Sequence, residues 1–430
     1  MQEELPPYDS SSPLPGYITS RGLASLRHTI SPLRGNPSVD EYSYKSDHLD
    51  INLGPRQWGT RFPVYGLQSA VEGRVWFAKK CSHVVSVTAT LEGKLTTSVS
   101  RGGSLAAASD QVILSQSAKL FEVINTNCYN SKPSTTLFGE CFDFSLSFLT
   151  YIANGRDPLP PSQSLSQQGT YCTINYTVRV DVIRKGLRRH ERITIPIMYL
   201  PRSTPPSQVQ LGLIHHPLLG YEQDQSTTID LHNSNSARAA LEKLQMSAQL
   251  TLPSPKIYTS GDSVPLILTL SCSKLPSLPQ LLAKTDSLHI HLIRRAKIAA
   301  SPGDILQETI VSKAELERTD NSSEGVSSSY WVLQLGKNQR HISWRVAGSA
   351  EVKYIVRVVF KPLPCSIIKQ LPAFQYDEVI KLTSDPWLDP VIAEEFRQLP
   401  SLGLAPVGLT AHQLTQSTPR SSLSSPSTRL

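Results

Sequence analysis

The chain has 430 residues, two to three times the size of an ordinary domain, with 39% hydrophobic residues, only 18% charged and as many as 32 prolines. That balance favours strands, turns and loose tails in more than one folding unit, and it excludes coiled coils and helical repeats. The excess of basic over acidic side chains, 42 − 35 = +7, is mild for such a length and does not indicate a nucleic-acid partner.

Residues 1–57 are rich in Ser, Pro, Gly and Tyr without sustained periodicity, and are predicted to form a disordered N-terminal arm. The opening Met-Gln-Glu-Glu-Leu-Pro-Pro-Tyr has neither the basic start nor the apolar run of a secretory leader, so a cytoplasmic chain is expected. Strands are predicted from about Phe62 onward. Val71-Glu-Gly-Arg-Val-Trp-Phe and His83-Val-Val-Ser-Val-Thr-Ala-Thr-Leu-Glu-Gly are β-branched runs punctuated by Gly. Cys172, Ile174, Tyr176, Val178, Val180 and Val182 alternate with polar residues, the pattern of a strand with one dry and one wet face. A polar turn containing Gly186 follows, and Ile193, Ile195, Ile197 and Tyr199 resume the alternation, completing a long hairpin.

Residues 58–203 therefore read as a first domain and 204–250 as a linker, with at most a short helix at 237–246. A second domain is predicted over 251–385, with strands at Val264–Leu270, Leu288–Ile293, Tyr330–Leu335 and Val352–Phe360. Leu275-Pro-Ser-Leu-Pro-Gln is read as a connection without helical caps, and Asn321-Ser-Ser-Glu-Gly as a solvated loop. Asp389-Pro390 begins a short helix, and the remainder of 386–430 degrades into a Ser-, Thr- and Pro-rich tail expected to be disordered. The predicted fold class is all-β: two tandem antiparallel β-sandwiches of immunoglobulin-like architecture between disordered tails.

Motifs for catalysis fail in turn. There is no G-x-S-x-G elbow, phosphate loop, dinucleotide fingerprint or H-E-x-x-H, so no enzyme activity and no catalytic residue are expected. A triad dispersed through the sequence is recognised by geometry and remains open at this level. No cofactor is expected and no metal site either: His215 and His216 are adjacent, and His289 and His291 share a strand face without a third ligand nearby. Cys81, Cys128, Cys141, Cys172, Cys272 and Cys365 lie far apart without a C-x-x-C pair and read as reduced, mostly buried thiols.

Binding motifs are more informative. Leu5-Pro6-Pro7-Tyr8 and Leu14-Pro15-Gly16-Tyr17 are the only Leu-Pro dipeptides that continue to x-Tyr. A WW domain takes such a stretch because proline pre-sets the extended polyproline II conformation, an aromatic groove holds the proline and a second pocket holds the tyrosine. The bland alternative is that these are prolines in a loose tail. Arg184, Lys185, Arg188, Arg189 and Arg192 crowd the hairpin turn with positive charge, enough to attract anionic lipid headgroups or an acidic peptide; equally, a charged turn keeps a hairpin soluble. No aromatics interleave these cations, which argues against nucleic acid. Ser12, Ser31, Ser254, Ser301, Thr418 and Ser425 each precede proline, as is common in loose tails, and could accept phosphate. Asn175-Tyr-Thr and Asn321-Ser-Ser match the glycosylation acceptor pattern, which the missing leader weighs against.

Several stretches resemble a known family. Val71-Glu-Gly-Arg-Val-Trp-Phe with Val87-Thr-Ala-Thr-Leu-Glu-Gly is similar to the opening of the arrestin N-domain in fungal arrestin-like proteins. Leu159-Pro-Pro-Ser, Tyr176-Thr-Val-Arg-Val-Asp-Val-Ile-Arg-Lys-Gly and Ile197-Met-Tyr-Leu-Pro-Arg-Ser-Thr-Pro-Pro resemble its end and its exit into the linker. Ser260-Gly-Asp-Ser-Val-Pro-Leu-Ile-Leu looks like an early strand of the arrestin C-domain, so the resemblance spans roughly residues 60–385, carried more by the order of the motifs than by any one. It implies a non-catalytic adaptor that binds cytoplasmic regions of membrane transporters or receptors and, in arrestin-related trafficking adaptors, recruits a WW-domain HECT ubiquitin ligase. Leu5, Pro6, Tyr8, Leu14, Pro15 and Tyr17 would be the ligase-binding residues. In relatives with such motifs they more often follow the core; here they precede it, and Leu371-Pro-Ala-Phe near the other end lacks the tyrosine. The expectation is an adaptor for ubiquitination, endocytosis and protein trafficking, recruited from the cytoplasm to plasma membrane or endosomes. The alternative is a peripheral membrane or phosphoinositide-binding scaffold that recruits no ligase.

Overall fold

Period-two alternation of apolar and polar side chains recurs through both halves of the chain, and in the computed structural model nearly every such run is a strand. The structure describes residues 41–101, 104–123, 135–153, 155–167, 169–209, 226–231, 245–284, 287–299, 303–321, 323–336, 341–361 and 374–404.

The first sandwich contains β1 (Glu41–Lys45), β2 (Leu49–Pro55), β3 (Val64–Tyr65), β4 (Ala70–Phe77), β5 (Cys81–Arg101), β6 (Ser104–Glu122), β7 (Thr135–Leu137), β8 (Cys141–Ser147), β9 (Gln163–Gln167), β10 (Thr170–Arg184) and β11 (Glu191–Tyr199). One sheet has the order β1-β2-β4-β8; the other runs β3-β11-β10-β5-β6, with β7 beside β5 and β9 beside β10. The β10–β11 hairpin is as expected, with Tyr176 opposite Ile197 and Val182 opposite Glu191, and with Gly186 at φ +76° in the turn. Cys172, Ile174, Tyr176, Val178, Val180 and Val182 are all buried, on the face turned to the opposite sheet.

The second sandwich comprises β12 (Ser226–Asp230), β13 (Met246–Pro253), β14 (Ile257–Thr259), β15 (Ser263–Cys272), helix α1 (Leu278–Lys284), β16 (Leu288–Ile298), β17 (Ile305–Lys313), β18 (Glu315–Asp320), β19 (Val326–Gln334), β20 (Trp344–Val346), β21 (Ala350–Phe360) and β22 (Phe374–Thr383). Its sheets are β12-β13-β15-β19-β18 and β14-β22-β21-β16-β17, with β20 beside β21. Helix α2 (Pro390–Phe396) follows; as its sequence predicts, Asp389 is the N-cap, its carboxylate accepting from the Val391 amide at 2.9 Å. One continuous cluster of buried side chains runs through both sandwiches.

Several expected boundaries shift. The arm does not extend to residue 57, because β1 and β2 lie inside 41–55, where Tyr42, Leu49, Ile51 and Leu53 bury themselves. Their alternation is short and is masked by the Ser, Pro and Gly around it. The linker expected over 204–250 likewise contains β12 and the first residues of β13, where Met246, Ala248 and Leu250 point inward, so the second sandwich begins before residue 251. The capless connection after Leu275 carries α1, which buries Leu278 and Leu282 one turn apart on one face. Two short pairings, β3 with β11 and β14 with β22, are parallel: alternation reports a strand but not its direction. Finally, residues 397–404 are not a loose tail. Ser401 donates its amide to the Leu200 carbonyl at 2.9 Å, and Leu404 packs with Val64, Met198 and Leu200 of the first sandwich.

Candidate functional site

The β10–β11 turn is shaped by its own backbone. The Arg184 amide donates to His190 Nδ1 at 3.0 Å, and the Lys185 amide donates to the His83 carbonyl at 2.8 Å, tying the turn to the start of β5. The basic cluster read from the sequence then divides. Arg184 folds inward, its guanidinium donating to the buried Cys81 Sγ at 2.8 and 3.2 Å. Arg192 pairs with Asp181 at 2.5 Å; Asp181 also takes Arg179 at 2.8 Å, and Arg179 reaches Glu92 at 3.3 Å. Arg188 and Arg189 remain exposed beside Lys185, and Arg188 donates only to the uncharged Ser82 hydroxyl, at 3.0 Å.

Sequence separation hid the rest of this end of the sandwich. Cys81 on β5 pairs with Leu137 on β7, and Arg184 on β10 pairs with Val84 on β5, so the loop before β5 and the turn after β7 stand at the same end as the basic turn. Exposed Lys79 and Lys80 come from that loop and Phe138, 66% exposed, from that turn. Leu187 sits at the apex of the basic turn and is fully exposed. Of these, Leu187 alone had a local signal, an apolar residue placed between Lys185 and Arg188; Lys79, Lys80 and Phe138 are brought in by the fold.

A second charged group lies on the outer face of the sheet formed by β17, β16, β21 and β22. Arg295 donates to Glu308 at 2.7 Å and to Asp377 at 2.6 Å; Arg357 donates to the same two carboxylates, each at 2.6 Å. Each guanidinium thus serves both acids. In register between these rows lie Ile293 and Ile355, 2% and 0% exposed although they face away from the core. Arg295 reaches Asp377 across the strand bearing Ile355, and Arg357 reaches Glu308 across the strand bearing Ile293, so the ring of charges roofs an apolar pair. With four partners mutually satisfied, it reads as structure rather than as a binding site.

The sandwiches meet through directed polar contacts. The Asp157 carboxylate accepts from Arg345 Nε and Nη2 at 3.0 and 2.7 Å and from the Ala347 amide at 2.8 Å, and the Arg345 guanidinium holds its pKa below the usual carboxylate range. Trp344 Nε1 donates to Gln163 at 2.5 Å, and Ser349 donates to Gln111. Where the chain leaves each sandwich, Ser203 and Ser384 exchange amide-to-hydroxyl bonds at 2.9 and 3.0 Å, and Arg202 pairs with Asp385 at 3.5 Å.

Leu5, Pro6, Tyr8, Leu14, Pro15 and Tyr17 lie outside the described residues. His289 and His291 stack with ring centroids 5.9 Å apart, and among the described residues no group of three His, Cys, Asp or Glu side chains converges. Of the described cysteines, Cys81, Cys172 and Cys272 are buried and Cys141 is exposed; burial pushes the Cys172 thiol up to about 12. Among the described residues no helix is long and apolar enough to cross a membrane. No protein-family model matches the chain, and no curated protein matches it in sequence.

Proposed function

We propose that the chain is a non-catalytic adaptor of the arrestin-related kind, in which two joined sandwiches present a surface to cytoplasmic regions of membrane proteins while the N-terminal arm recruits a WW-domain HECT ubiquitin ligase. The observation that carries this reading is the pair of β-sandwiches in one chain, fastened to each other through Asp157, Gln163 and Ser203. A fixed double frame suits an adaptor, because it holds a bound cargo and a tethered ligase within one effective volume. Cargo strands could add at an open sheet edge such as β18, where Leu316 is exposed. In this reading the protein works in the cytoplasm and is drawn to plasma membrane or endosomes by its cargo, promoting ubiquitination and endocytosis there.

The test is capture of the full chain by isolated WW domains. Tyr8→Ala combined with Tyr17→Ala is expected to abolish capture, since the tyrosine pocket loses its ligand at both copies; undiminished capture would remove the arm from the mechanism. A second reading, a peripheral scaffold on an anionic surface, is favoured by one observation: Lys79, Lys80, Arg188 and Arg189 gather at one exposed end of the first sandwich.

A further inference from the structure

We propose that this end of the first sandwich docks on an anionic lipid bilayer, with Leu187 and Phe138 entering the headgroup layer between Lys79, Lys80, Lys185, Arg188 and Arg189. The proposal rests on the anionic-surface reading of the basic turn and adds the kind of surface and the depth of contact.

Three observations lead to it. First, β10, β5 and β7 are consecutive neighbours at this end, so the turns bearing Leu187 and Phe138 stand about two strand spacings apart, roughly 10 Å. Single exposed apolar side chains are ordinary, but two large ones at the tips of adjacent turns need a reason. Second, Leu187 is 108% exposed, more open than in an extended chain, so it protrudes instead of lining a groove. Two separate apolar tips set among cations, rather than one tip beside a groove, fit a fluid bilayer, which closes around both at once while its headgroups meet the charges. Third, the tip is held outward before any contact: Gly186 takes φ +76°, the Arg184 amide is fixed on His190, and Arg188 is held on Ser82. Little ordering entropy is then left to lose on docking.

Charge supports the same orientation. Among the described residues, exposed Lys79, Lys80, Arg188 and Arg189 and half-buried Lys185 stand around the two tips, against exposed Asp47 and Glu140 in the neighbouring turns and Glu122, paired with Lys119, at the end of β6. Each cation held near an anionic bilayer strengthens partition roughly fivefold, and the long Lys and Arg stems let the charge stay among phosphates while the chain sinks. An acidic peptide would satisfy the charges but would leave Leu187 and Phe138 in water.

Flotation of the full chain with vesicles of phosphatidylcholine, alone or mixed with phosphatidylserine, tests this. Capture is expected with the mixed vesicles only, weakening as salt is raised. Lys79→Ser, Lys80→Ser, Arg188→Ser and Arg189→Ser together should abolish it. Leu187→Ser with Phe138→Ser should weaken it at least about tenfold while leaving the salt dependence in place. Equal capture of that apolar variant would overturn insertion and leave the anionic-surface reading standing. Failure of the native chain to float with mixed vesicles, or its capture by immobilised polyglutamate instead, would overturn both. A readout independent of variant stability is Leu187→Trp fluorescence: quenching by lipids brominated in the acyl chain, beyond that of the parent chain, is expected, and its absence counts against insertion.

Discussion

Gly93, in the middle of β5, is where a Cβ would collide with the core. Placed on that backbone, it would stand 2.5 Å from Tyr176 Cε1. The ring cannot swing clear, because Tyr176 Oη donates to the Pro160 carbonyl at 2.6 Å and the ring edge packs on Phe148 and Tyr199. Glycine is otherwise a poor strand residue, and the strand is bulged between Gly93 and Lys94. Gly93→Ala should therefore destabilise the protein by about 1–3 kcal/mol, the usual cost of overpacking a rigid core site. The urea midpoint measures it; a midpoint equal to that of the parent would mean that Tyr176 yields more readily than its contacts imply.

At the scale of elements, the ring over Ile293 and Ile355 makes a prediction with a definite sign. Hydrogen bonds from Arg357 hold the Glu308 carboxyl below its ordinary range. For Asp377, burial pushes upward, but the bonds from Arg357 and Arg295 outweigh it and the net shift is downward. A carboxyl whose folded pKa lies below its unfolded value, near 4 for a free side chain, contributes stability that is complete above about 4 and drains away as pH falls through the lower folded value. Arg357→Met should lower stability by about 2 kcal/mol at neutral pH, since Arg357 is largely covered and its two acids lose charged partners. It should also flatten the fall in stability below about pH 4. Urea midpoints across that acid range, parent against variant, test both parts, and parallel pH curves would remove the ring from the account. None of these pairings was legible in the sequence. The strands were, because Val352, Tyr354, Val356, Val358 and Phe360 repeat with period two over a whole strand. Arg295, Glu308, Arg357 and Asp377 are polar residues at ordinary outward positions, and only register across four strands makes them neighbours. The same reason separates Arg184, Lys185, Arg188 and Arg189, adjacent and visible, from Lys79, Lys80 and Phe138, which the sheet supplies. Strands at 41–55 are not legible in the sequence because three or four alternating residues do not stand out from a Ser- and Pro-rich background.

For the whole molecule, what matters is whether two sandwiches behave as one body. The described residues between Glu41 and Leu404 form a single compact unit, although its halves have separate pairs of sheets. The polar contacts between them are specific. Asp157, Gln163 and Gln111 receive a guanidinium, an indole N–H and a hydroxyl, all from the short stretch Trp344–Ser349, while Ser203 and Ser384 clamp the two chain exits. The return of Leu404 to Val64, Met198 and Leu200 adds a strap of chain that leaves the second sandwich and closes on the first. Deleting the Asp157 carboxylate removes three of these bonds at once, two to the Arg345 guanidinium and one to the Ala347 amide, and the exposed Arg345 and Ala347 then turn to water instead of to the first sandwich. Asp157→Ala removes the acceptor of both Arg345 and the Ala347 amide while leaving each sandwich's own core intact. Calorimetry of the parent chain should show one cooperative transition, and Asp157→Ala should split or broaden it as the halves begin to melt separately. Acidification should act in the same direction, because Arg345 holds the Asp157 pKa below its ordinary value, so this contribution is present above about 4 and is lost as pH falls further. A single sharp transition for Asp157→Ala, merely displaced in temperature, would instead assign the coupling to the continuous apolar cluster that runs through both sandwiches.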